Sequence, residues 1–151
     1  MGSGRALGSI GAYWRVVRLP IAVTIFLTML IAAIALYYEE DKGTLNALAS
    51  AVWIAVPFYV GLRLARGGAG PLHAVIAGAL YGLIAEAAYY SVVLAGSSMG
   101  FFGVALELGL LDYGKLATVI GAYVAIGTVR SAALAALGLL SGIFIAKMRE
   151  A

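Results

Sequence analysis

The chain has 151 residues, 64% of them hydrophobic and 11% charged, with a mean hydropathy of +1.03. Soluble domains carry about 25% charged residues, so this composition excludes an ordinary soluble fold and points to a single membrane domain over residues 1–151. The absence of cysteine and the single histidine, His73, exclude disulfides, thiol chemistry and a multi-histidine metal or haem site, so no cofactor is expected. The net charge of +3 comes from basic residues flanking apolar runs and is not a nucleic-acid signal.

Residues 1–18, MGSGRALGSIGAYWRVVR, place Leu7, Ile10, Trp14 and Val17 at helical spacing, with Arg5, Arg15 and Arg18 away from them. This predicts a short N-terminal amphipathic helix lying in the headgroup region, anchored by Tyr13 and Trp14. The first charge-free run follows over 19–38, with Pro20 suited to a first-turn position where its missing N–H costs nothing. A basic leader before an apolar run resembles a signal peptide, and Ala33-Ile34-Ala35 would pass as a cleavage site. The run is longer than the roughly 7–15 residues of a signal-peptide core, so a retained anchor is expected.

An acidic turn, Glu39 to Gly43, leads to a second span over 45–64. Pro57 inside it cannot donate to the carbonyl of Trp53 and should kink the helix. Ala47, Ala51 and Ala55 form a small-residue stripe suited to close packing. The basic, glycine-rich stretch RLARGGAGP at 63–71 lacks the spacing of a phosphate-binding loop and reads as a turn.

The third span, 72–94, contains one carboxylate, Glu86. Ala74, Gly78, Gly82, Glu86 and Tyr90 recur every four residues and share one stripe, in which Gly78 and Gly82 let a neighbouring backbone approach. Residues 96–115 form the longest connection. Met99 to Leu111 is apolar but too short to cross a bilayer, and predicts a re-entrant or interfacial helix. Glu107 and Asp112 on this connection read as surface acids, since no base or metal ligand accompanies them.

The fourth span, 116–146, would be about 46 Å long as a continuous helix, more than the hydrocarbon core, so it must tilt, protrude or break, with Gly121 and Gly127 as break points. Ile126, Arg130, Leu134, Gly138, Gly142 and Ala146 form its stripe. In antiparallel packing against the third span, the glycine pairs Gly78/Gly82 and Gly138/Gly142 would meet. Glu86 and Arg130 would then lie roughly 21 and 24 Å from the same side. An ion pair between them is expected. It would fix helix register or serve an ion pathway. A third reading is that the two never meet and Arg130 reaches the headgroups.

The predicted fold is an all-α integral membrane protein with spans at about 19–38, 45–64, 72–94 and 116–146, arranged as two helical hairpins. With the N-terminus inside, Arg5, Arg15, Arg18, Arg63, Arg66, Lys147 and Arg149 fall on the inner side and only Lys42 and Lys115 on the outer. The positive-inside rule then predicts a multi-pass protein of the cell membrane with both termini cytoplasmic. A faint echo, Asp41-x-Gly43-x-Leu45 and Asp112-x-Gly114-x-Leu116, precedes the second and fourth spans and would fit an old duplication.

Three functions follow in order of expectation. The small-residue stripes suit a structural or accessory subunit that packs against a membrane-protein partner or a second copy, with the lipid bilayer around it. The alternative is a small ion- or proton-coupled transporter or channel using Glu86 and Arg130, with Pro57 supplying a moving part. An enzyme is not expected: the topology separates His73 from Glu107 and Asp112, so they cannot form one site.

Overall fold

The computed structural model describes residues 10–37, 42–98 and 113–150. They form four helices: α1 (Ile10–Tyr37), α2 (Lys42–Arg66), α3 (Pro71–Ser98) and α4 (Tyr113–Glu150). Each contains a stretch long and apolar enough to cross a membrane. Large apolar side chains such as Phe26, Leu48, Ile54, Val129, Leu137 and Phe144 point outward, as lipid-facing positions require.

The helices alternate in direction. Tyr13 lies against His73 and Thr24 against Tyr81, so α1 and α3 run parallel. Phe58 opposes Gly138 and Ala65 opposes Gly142, so α2 and α4 run parallel, while Gly78 opposes Ala135 and Gly82 opposes Thr128, so α3 and α4 are antiparallel. One end of the bundle therefore carries Arg15, Arg18, Arg63, Arg66, Lys147 and Arg149, and is called the basic end below. Among the described residues, only Lys42 and Lys115 are basic at the opposite end.

Sequence order does not dictate the packing. α4 lies as extensively along α2 as along α3, and α1 touches α2 and α3 without reaching α4. The bundle is a rhombus in cross-section, with α1 and α4 at far corners. Between helices in lipid there is little hydrophobic driving force, so close backbone contact must supply the attraction. Gly61 and Gly138 provide it. A side chain on Gly61 would collide with the Ala135 carbonyl, and one on Gly138 with the Phe58 carbonyl. Gly78 and Gly82 do the same between α3 and α4: a Cβ on Gly78 would stand 2.6 Å from the Ser131 carbonyl oxygen, and one on Gly82 2.8 Å from Thr128 Cα.

Several expectations are corrected here. Gly138 and Gly142 pack against α2, through Phe58, Leu62 and Ala65, and do not meet Gly78 and Gly82. Ala47, Ala51 and Ala55 are exposed, so α2 uses Gly61 in place of that stripe. Residues 10–18 are the first turns of α1, not a separate interfacial helix. Tyr13 and Val17 are buried in the bundle, and Pro20 sits inside the helix. Basic residues ended the hydropathy run there but do not end the helix. The fourth span is unbroken at Gly121 and Gly127: α4 runs 38 residues, about 57 Å. Ala74 is fully buried. The expected element at 99–111, together with Glu107 and Asp112, lies outside the described residues.

The α2–α3 turn explains its own sequence. Gly68 takes φ +70°, and the amides of Gly68 and Ala69 bond back to the carbonyls of Ala65 and Leu64 at 3.0 and 3.1 Å. This is the left-handed cap of a Schellman motif. Pro71 then opens α3 at its first position.

Thermal unfolding in detergent checks the seam. Gly138→Ala should lower stability by about 1–3 kcal/mol, the cost of overpacking. Gly121→Ala, where an added Cβ meets nothing within 4 Å, should be neutral or slightly stabilising.

Candidate functional site

The glycine contacts are confined to part of the bundle's length. On α4, buried residues run from Gly127 to Leu139, and none lies between Gly114 and Ile126. On α2, the exposed stretch similarly covers the turns before Trp53. The helices are clamped toward the basic end and diverge toward the opposite end, where Trp53, Tyr89, Tyr90 and Tyr123 replace the small residues. The divergence opens a cleft of about 390 Å³.

All four helices line it. Thr28 comes from α1, Asn46, Ser50 and Trp53 from α2, Glu86, Tyr89 and Tyr90 from α3, and Tyr123, Gly127 and Arg130 from α4. Glu86 is 6% exposed and its carboxylate rests over Gly127. A Cβ at Gly127 would lie 2.6 Å from Glu86 Cγ and would overlap the carboxylate oxygen as well. Gly127 is therefore the seat of the acid, and not a break in the helix. One turn further on, Arg130 Nη2 donates to Glu86 Oε1 at 2.8 Å. The arginine side chain is 43% exposed, against 8% for the glutamate. The acid forms the back of the cleft and the guanidinium its wall.

Aromatic rings complete the wall. The Trp53 ring centroid is 5.8 Å from Arg130 Cζ, within cation–π range. Tyr89 meets Trp53 edge-on at 5.7 Å, Tyr89 meets Tyr90 at 5.4 Å, and Tyr90 meets Tyr123 at 5.9 Å. Nearer the basic end, about 7.5 Å along α3 from Glu86, the buried Tyr81 hydroxyl shares a hydrogen bond of 2.6 Å with Thr24. That bond ties α1 to α3 below the cleft.

Thr28, one turn after Thr24, has a buried hydroxyl with no hydrogen-bond partner. Ser50, Ser91, Thr118 and Thr128 each return their hydroxyl to the carbonyl four residues earlier. Thr28 does not, and it lines the cleft.

The structure thus brings Glu86 and Arg130 together and puts Tyr90, from the same stripe, beside them. It leaves Gly78, Gly82, Gly138 and Gly142 in the helix seams and Ala74 in the core, away from the cleft. Pro57 is buried in α2, one turn toward the basic end from Trp53. Among the described residues, no three His, Cys, Asp or Glu side chains converge as a metal site would require. Chemically, the arrangement offers one acid, one guanidinium, aromatic faces and hydroxyls in a cleft at membrane depth.

A double-mutant cycle on thermal stability with Glu86→Gln and Arg130→Gln should give a coupling of about 1 kcal/mol or more. Repeating it in a Gly127→Ala background should reduce the coupling to within about 0.5 kcal/mol, as for independent sites. Undiminished coupling there would mean that Gly127 does not seat the acid.

No family model matches the chain, and neither does any curated protein or solved structure.

Proposed function

We propose that this chain is a small multi-pass membrane transporter or channel whose solute or ion site is the Glu86–Arg130 cleft. One observation carries the reading. A pair that only fixed register would be expected within a helix seam, whereas this pair lines a cleft of about 390 Å³, and the Arg130 side chain is 43% exposed. Ionisable residues at membrane depth face a bundle interior or a water-filled cavity, and they mark ion and substrate pathways. A cleft of this size is in the usual range for small-molecule sites, about 300–1,000 Å³.

The charge asymmetry supports the orientation. The basic end belongs in the cytoplasm by the positive-inside rule, with both termini there and the cleft opening toward the outer face of the cell membrane. Tight glycine seams at the cytoplasmic half and a splayed outer half would then form an outward-open state.

The accessory-subunit reading keeps a place because of one surface. Along the outer half of α4, Ala117, Gly121, Ala122 and Ala125 are exposed together. A second copy or a partner helix could approach there.

The natural absence of cysteine makes the test direct. Single-cysteine variants Ser50→Cys and Tyr123→Cys line the cleft, while Leu48→Cys and Leu137→Cys face lipid. In proteoliposomes, a membrane-impermeant thiol reagent should modify the first two readily and the second two slowly. Equal protection of all four would show a cleft closed to water and would remove the transport reading. Disulfide cross-linking of Ala125→Cys would favour self-association.

A further inference from the structure

The class of solute follows from how incompletely the charged pair satisfies itself. This inference rests on the cleft being a solute site. Among the described residues, the bond from Arg130 Nη2 to Glu86 Oε1 is the only hydrogen bond either side chain makes. A guanidinium carries five N–H donors, and a carboxylate has two acceptor oxygens. Most of the hydrogen-bonding capacity of both groups is therefore uncommitted to protein partners. The Thr28 hydroxyl, 4% exposed and without a partner, is a third uncommitted group lining the same cleft.

Charge then discriminates between ligands. The pair is neutral as a whole. A simple cation drawn to Glu86 must compete with Arg130, and in displacing it leaves an unpaired guanidinium in the membrane. A simple anion drawn to Arg130 leaves the carboxylate unpaired. The Glu86 carboxylate is the shielded partner, and breaking such a pair by satisfying one partner and stranding the other is unfavourable. A molecule carrying both charges gives each side chain a new partner together and keeps the net charge of the site unchanged. The aromatic walls fit the same class, since Trp53, Tyr89, Tyr90 and Tyr123 line the cleft and aromatic rings attract an ammonium group.

We propose that the cleft binds a small zwitterion, with its carboxylate on Arg130 and its ammonium between Glu86 and the aromatic rings. The ligand inserts by exchanging the one Glu86–Arg130 ion pair for two. The cleft volume sets the scale at an amino acid or a compact betaine and not a large lipid.

Trp53 is a built-in reporter, because the chain has two tryptophans and the other, Trp14, faces outward. In a Trp14→Phe background in detergent, emission is titrated with trimethylglycine and leucine as zwitterions, choline as the cation and isovalerate as the anion. At least one zwitterion should shift the emission saturably, with choline and isovalerate weaker by an order of magnitude or more. Two variants should invert the preference. Glu86→Gln leaves a positive site and should favour isovalerate; Arg130→Gln leaves a negative site and should favour choline. Choline or isovalerate binding the parent as well as the zwitterions would overturn the proposal. So would a failure of both zwitterions to bind while Ser50→Cys and Tyr123→Cys are labelled from water; that result leaves the solute-cleft reading standing. If the cleft cysteines are not labelled, the cleft reading itself has failed.

Discussion

Backbone-to-backbone contact along α4 is the constraint on which the rest of this molecule depends. Helices in lipid are not pressed together by the hydrophobic effect, because the surroundings are as apolar as their side chains. They associate where side chains are missing. Gly61 and Gly138 bring α2 onto α4, and Gly78 and Gly82 bring α3 onto α4. Ala135 is shared, meeting both Gly61 and Gly78 across the two seams. With α4 held between them, α2 and α3 need little direct contact although only a four-residue turn joins them.

The seams also create the cleft, by ending. Small residues draw the helices together as far as the level of Gly127. Beyond it Trp53, Tyr89, Tyr90 and Tyr123 are too large for such an approach, and the helices separate. Glu86 sits at the boundary between these regimes. It is shielded like a seam residue, yet its partner Arg130 is open like a cleft residue. Gly127 joins the two roles, since its missing side chain is the last of the close contacts and also the space that the carboxylate occupies.

Much of this was legible in the residues. Charges inside long apolar runs mark Glu86 and Arg130, and equal depth along antiparallel helices suggests that they meet. Gly78 and Gly82 announce a contact face. What a small-residue stripe does not encode is which neighbour fills it. Gly138 and Gly142 meet α2 because α4 has helices on two sides, and Gly127, Ser131 and Ala135 already occupy the side toward α3. The cleft was harder to see. Asn46, Ser50 and Trp53, like Tyr123, Gly127 and Arg130, recur at helical spacing, but such faint polar stripes stand out only once the helices are known to diverge. Thr28 had no signal at all, because mid-helix hydroxyls usually bond to their own backbone. Hydropathy, finally, measures where charge begins and not where a helix begins, which is why Pro20 lies well inside α1.

Pro57 acquires a mechanical meaning from its position. It lies between Trp53, which lines the splayed half, and Gly61, which is locked to α4. Its missing N–H removes the rung that would otherwise join the two halves of α2 at the Trp53 carbonyl. The stiffness of α2 is thus lowest at the junction between its glycine-locked portion and the portion that lines the cleft. A load applied at Trp53 would be absorbed as bending at that joint before it strained the glycine seam. The bundle is built as a fixed base carrying one compliant arm.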